Sequence, residues 1–112
     1  MKRFLLGTIW GILLVGNSAI AADVLLAFTA EWCGPCQQFK ADYMADKNLV
    51  AGYETEIINV DKAKELARDF DVKSYPTFIV IKVEDDGTWR KDNIVKRKSG
   101  YDSPKKFKKW LE

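Results

Sequence analysis

The sequence predicts an α/β domain built on a four-stranded mixed sheet with helices on both faces. Three observations carry that expectation. The nearly continuous apolar run Val24 to Ala30 has the length of a strand and the composition of one buried on both faces, in the middle of a sheet. Directly behind it the apolar period turns helical, with Cys36, Phe39 and Tyr43 on a common face. Further on, the β-branched run Thr77 to Val83 meets the turn Glu84-Asp85-Asp86-Gly87, and Thr88 to Lys98 supplies an antiparallel partner.

The remaining elements follow in chain order. The helix from Cys33 should fade near Asp46 to Asn48, with a short second turn over Leu49 to Ala51. Thr55 to Val60 reads as a strand, and Asp61 stands where it would cap a helix whose Ala63, Leu66, Ala67 and Phe70 recur at helical spacing. At the end Ser103 caps, Pro104 takes the first helical position, and Phe107, Trp110 and Leu111 form a buried stripe. The first two strands need a crossover helix between them and are therefore parallel, whereas the hairpin is antiparallel. This topology starts the Cys33 helix at the carboxyl end of a central strand, where open α/β sheets place their sites. No internal repeat, low-complexity segment or interdomain linker interrupts the chain.

The first 21 residues have the layout of a secretory signal peptide. Lys2 and Arg3 are followed by the apolar stretch Phe4 to Val15 and by Ala19-Ile20-Ala21 before Ala22, a basic start, an apolar centre and a small-residue cleavage site. An uncleaved anchor is the rival reading, because positions 4 to 22 carry no charge; Gly7, Gly11, Gly16, Asn17 and Ser18 weaken it. Removing 21 of the 112 residues leaves 91, one small domain over residues 22–112. Either way the folded part is expected to be exported, most simply to a bacterial periplasm, and to be membrane-anchored if the leader stays.

The 18 basic residues fall to 16 without the leader and then equal the 16 acids, so the net charge gives no reason to expect nucleic acid as a partner. Residues 23–71 hold 5 basic and 10 acidic side chains, residues 72–112 hold 11 and 6. Lys96-Arg97-Lys98 with Lys105, Lys106, Lys108 and Lys109 make the second half basic, which reads as a solvated surface ahead of a docking face for an acidic partner or anionic lipid.

Trp32-Cys33-Gly34-Pro35-Cys36 contains the only two cysteines. Opening a helix, it sets the thiols one turn apart, and unpaired backbone N–H groups with the positive end of the helix dipole favour thiolate at Cys33. A thiolate is the attacking species in disulfide exchange, and a second thiol nearby releases the mixed disulfide. Structural zinc would need four Cys or His ligands, and the chain has no histidine, so no metal is expected. A purely structural bridge is the other reading; closing so short a loop stabilises by only about 2 kcal/mol in the chain-entropy estimate.

Ala30-Glu31-Trp32-Cys33-Gly34-Pro35-Cys36 is similar to the active-site segment of the thioredoxin superfamily, and Phe70-Asp71-Val72-Lys73-Ser74-Tyr75-Pro76-Thr77 resembles the family segment that ends in a cis proline facing the cysteines. Gly100 ahead of an amphipathic last helix also fits, and the resemblance covers essentially everything after the leader. The chain is similar, too, to the thioredoxin-like domains of membrane disulfide-interchange proteins. The resemblance implies a minimal thioredoxin fold lacking the usual N-terminal strand and helix. It implies catalytic residues Cys33 (nucleophile) and Cys36 (resolving), with Trp32, Gly34, Pro35, Tyr75, Pro76 and Thr77 as motif and substrate-binding residues. Tyr75–Pro76 would be cis and the Tyr75 backbone would pair with an extended substrate segment. Read from the residues alone, Pro76 is an ordinary start of an edge strand.

Two positions depart from the family. Ala27 stands where many thioredoxins carry a buried aspartate that helps to move the second cysteine's proton, and Ile57 where a lysine often lies near it. Losing both avoids an unpaired buried charge and leaves water or Glu31 to deprotonate Cys36. No histidine separates the cysteines, unlike in the strong oxidants of the superfamily, so the resemblance implies a reductant. The expected activity is thiol–disulfide exchange that reduces exported proteins without a cofactor. Its partners would be disulfide-containing exported proteins and a membrane electron donor, and the protein itself a monomer. An oxidase or isomerase, or a thioredoxin-fold binding module without turnover, are the alternatives.

Overall fold

Strand β1 (Asp23–Thr29) is apolar along its length because both of its faces are covered: Val24 to Thr29 are all buried. The computed structural model describes residues 23–112. The expectations for the leader, its cleavage or retention, and the missing first strand and helix fall on residues 1–22 and lie outside the described residues. The chain continues through helix α1 (Gly34–Ala45), a 3-10 turn (Lys47–Val50), strand β2 (Glu54–Asn59), a second 3-10 turn (Val60–Lys62), and helix α2 (Lys64–Asp69). Strand β3 (Thr77–Val83), strand β4 (Trp89–Ser99) and helix α3 (Pro104–Leu111) complete it.

The sheet order is β2-β1-β3-β4, so β1 and β3 are central. β1 and β2 are parallel, with Ala27 opposite Ile57 and Thr29 opposite Asn59. β3 is antiparallel to both β1 and β4, and the β3–β4 register shifts twice, between Val80 and Ile81 and between Ile81 and Val83. This is the mixed four-stranded sheet that the sequence predicts.

Alternation along β1 and β3 makes two cores. Val24, Leu26, Phe28, Ile79 and Ile81 pack with Val60, Ala67 and Phe70 on the α2 side. Leu25, Ala27, Phe78 and Val80 pack with Phe39, Phe107 and Leu111 beneath α1 and α3. Cys33 and Cys36 belong to the first core although Phe39 belongs to the second, which corrects the common face expected for Cys36, Phe39 and Tyr43. The first turn of α1 lies past the carboxyl end of β1, and there the helix reaches the side that its later turns do not.

The helix ends follow local chemistry. Ser103 Oγ accepts the N–H of Lys106 and Pro104 occupies the first turn of α3, as expected. Asp61 does not cap α2: Ala63 holds that position and offers no side-chain bond, while Asn59 Oδ1 accepts the Asp61 N–H at the preceding turn. A 3-10 turn has taken the residues that the sequence pattern gives to the start of the helix. α2 ends on Asp71, whose φ of 57° is left-handed, with the Val72 N–H returning to the Ala67 carbonyl at 2.9 Å. Among the described residues no helix is long and apolar enough to cross a membrane.

Candidate active site

Beyond β1 the backbone turns sharply, the N–H of Cys33 donating to the Ala30 carbonyl at 3.2 Å. Cys33 is extended (φ −97°, ψ 116°) and is the N-cap of α1; its Sγ accepts the N–H of Cys36 at 3.2 Å. The first turn of α1 contains no acidic residue. Cys33 and Cys36 are joined in a disulfide, their Cα atoms 5.2 Å apart.

The two sulfurs differ in access. Cys36 is fully buried and Cys33 is 6% exposed. This is less exposure than an accessible nucleophile suggests, and it places Cys33 among the buried residues of the core. The remaining opening is on Cys33. Gly34 beside it is exposed, and a Cβ built there would meet nothing within 4 Å. Pro35 occupies the first turn of α1, where its missing N–H costs no hydrogen bond.

Trp32 is 67% exposed, its indole N–H donating to Asp61 Oδ2 at 3.2 Å and its ring meeting Tyr75 edge to face at a centroid distance of 5.6 Å. Tyr75 packs against the core that contains the cysteines. The Tyr75–Pro76 bond is cis. The Pro76 carbonyl accepts the Gly100 N–H at 2.8 Å, and among the described residues the Tyr75 N–H and carbonyl have no backbone partner. Thr77 is buried, its hydroxyl donating to the Ser74 carbonyl at 2.6 Å, so this side chain braces its own loop. Cys33, Cys36, Trp32 and Tyr75 thus come together at one end of the sheet.

Asp61 was legible in the sequence only as a helix cap. The parallel register sets Thr29 beside Asn59, so the loops leaving β1 and β2 run side by side and bring Trp32 to Asp61. Lys96 is half-buried, and Arg97, though exposed, is bonded to the fold. Arg97 Nη2 donates to the Phe70 and Asp71 carbonyls and so holds the start of the loop carrying Tyr75. Lys96 donates to the Trp110 carbonyl at 2.7 Å, its ammonium 5.4 Å from the indole centroid.

Ala27 is fully buried and pairs with the exposed Ile57, so the two departures from the family are neighbours and neither position carries a titratable group. Glu31 is exposed; its carbonyl accepts from Gln37 Nε2 at 3.0 Å, and its carboxylate is not bonded to either cysteine. Among the described residues no three Cys, Asp or Glu side chains gather as metal ligands.

A thioredoxin family model matches residues 17–111. The chain is 36% identical to human protein disulfide-isomerase A4 over 80 residues, 64% of this chain and 12% of that protein. It is 38% identical over 69 residues to thioredoxin-1 of Drosophila yakuba, covering 55% of this chain and 62% of the relative. The matched segment is therefore less than two thirds of the length of either relative. The structure superposes on Fasciola hepatica thioredoxin with a TM-score of 0.63 at 26% identity, covering 80% of this chain and 78% of the other. With the cysteine pair at the head of α1, the cis bond before Thr77 and a family match along nearly the whole length, the chain belongs to the thioredoxin family.

Proposed function

We propose that the protein is a thiol–disulfide oxidoreductase that reduces disulfides of exported proteins. The observation that carries the reading is the Cys33–Cys36 disulfide at the N-terminus of α1, in which Cys36 is fully buried and Cys33 keeps the little exposure that remains. In the reduced protein the Cys33 thiolate attacks a substrate sulfur; the substrate S–S bond breaks and the first substrate thiolate leaves. The Cys36 thiol then gives up its proton and attacks Cys33 Sγ, and the Cys33–substrate bond breaks. Two electrons pass to the substrate, both of its thiolates take up protons, and the protein keeps the Cys33–Cys36 disulfide. With Ala27 and Ile57 at the paired positions, water or Glu31 is left to take the Cys36 proton. The unpaired Tyr75 backbone beside the site supports docking of an extended substrate strand.

The export reading rests on Lys2, Arg3, Phe4 to Val15 and Ala19-Ile20-Ala21. In an oxidising compartment the cycle needs a membrane donor of electrons. Cys33→Ser is expected to abolish insulin-type disulfide reduction, and Cys36→Ser to accumulate mixed disulfides; full turnover in either variant would sink the mechanism. Direction is read from the equilibrium potential of the pair. A reductant is expected at about −270 mV, the general figure for thioredoxin, and a far higher value would make the protein an oxidase.

A further inference from the structure

Beside Trp32 and Tyr75 the surface dips into a groove of about 390 Å³ whose opposite wall is α2. Its charged lining is Asp61, Lys64, Arg68, Asp71 and Lys73. Asp61 is engaged by the Trp32 indole, and Asp71 and Lys73 lie 3.4 Å from each other. Lys64 and Arg68 are exposed and have no ion-pair partner among the described residues. They are four residues apart on α2, so they share one face of that helix, separated by about 6 Å of rise. In an extended chain, side chains at alternate positions point to the same side about 7 Å apart. The two spacings match.

We propose that Lys64 and Arg68 select substrates in which two acidic residues at alternate positions flank the disulfide cysteine. This rests on the oxidoreductase reading above and names its substrate class. The substrate strand enters along Trp32 and Tyr75, and its acid-x-acid pair lies over the α2 wall of the groove. Both acids already lining the groove are engaged within the protein, which leaves the two α2 cations as the charges available to a partner.

The test uses the pre-reduced full chain in single turnover with peptides that carry one cysteine as a mixed disulfide with thionitrobenzoate, flanked by Glu-x-Glu, Gln-x-Gln or Lys-x-Lys. Each rate is divided by that of the same peptide with a small free thiol, which removes the effect of the flanks on intrinsic reactivity. Two exposed charge contacts are expected to give Glu-x-Glu about a fivefold advantage over Gln-x-Gln. The advantage is expected to shrink toward one in 1 M salt, where the screening length is about 3 Å. Lys64→Glu/Arg68→Glu is expected to reverse the order of the Glu and Lys peptides. Equal normalised rates in the wild type would overturn the selection while leaving the oxidoreductase reading intact. A chain whose thiols react with no peptide would overturn both.

Discussion

Tyr101 ties α1 to the segment leading into α3, its hydroxyl donating to Asp42 Oδ2 at 2.6 Å from a side chain that is 7% exposed. Burial first, then the hydrogen bond and the negative charge of Asp42, raise its pKa well above the ordinary value of 10.0. Because the folded value is the higher one, the native state holds its proton where the unfolded chain begins to lose it. The stabilisation is complete below about pH 10 and is lost as the pH rises from there through the folded value. Tyr101→Phe is expected to cost about 1 kcal/mol at neutral pH, since the half-buried Asp42 carboxylate loses one of its two donors and keeps Gln38 Nε2. Urea unfolding at pH 7 and at steps above pH 10 checks both parts: the variant starts lower and falls less steeply. The chemistry of Cys33 and Cys36 could be read directly from their spacing, which is a local property. That Tyr101 would find Asp42, 59 residues away in sequence, could not.

Helices α1 and α3 owe their starts to short-range signals. Cys33 caps α1 with its own sulfur, while Ser103 and Pro104 begin α3. Ser103→Ala is expected to destabilise by about 1 kcal/mol, visible as a lower urea midpoint. The two helices differ in how far the apolar pattern foretold their packing. In α3 the expected stripe is present, with Phe107 and Leu111 buried and Trp110 half-buried against the same core. In α1 only Cys36 and Phe39 are buried, and they serve different cores, so periodicity alone mislabelled its face. α2 shows the limit of reading caps from sequence. Asp61 has the residue type and the place of a cap, and yet its carboxylate takes a donor from another loop.

Across the molecule the sheet separates two cores with distinct roles, one containing the cysteines and the other dominated by aromatic rings. Phe78 meets Phe107 at 4.6 Å and Phe39 at 4.8 Å between ring centroids, at T-shaped angles of 63° and 64°. Phe78→Ala is expected to cost roughly 3–5 kcal/mol, a large share of the roughly 5–15 kcal/mol available to a small domain. Denaturant titration should show a lower midpoint with unchanged slope; a shift below 1 kcal/mol would mean that the neighbouring rings close the gap. The same sheet places the site. Because β1 and β2 are parallel, their carboxyl ends present two loops together, and Trp32 and Asp61 meet above them. The groove proposed to read acidic flanks exists only because α2 follows β2 on the cysteine side of the sheet.

By itself the sequence determined the order of strands and helices, the class of the sheet, the starts of α1 and α3, and the redox pair. Apolar period, turn residues and a three-residue spacing act over distances that the local chain sets. Only the tertiary structure decided which core receives each turn of α1, how little of Cys33 stays open, and that Asp61, Lys96 and Arg97 have work inside the fold. Those outcomes depend on strand register and on how helices sit against the sheet, which arise from the sum of many weak contacts between residues far apart in the chain.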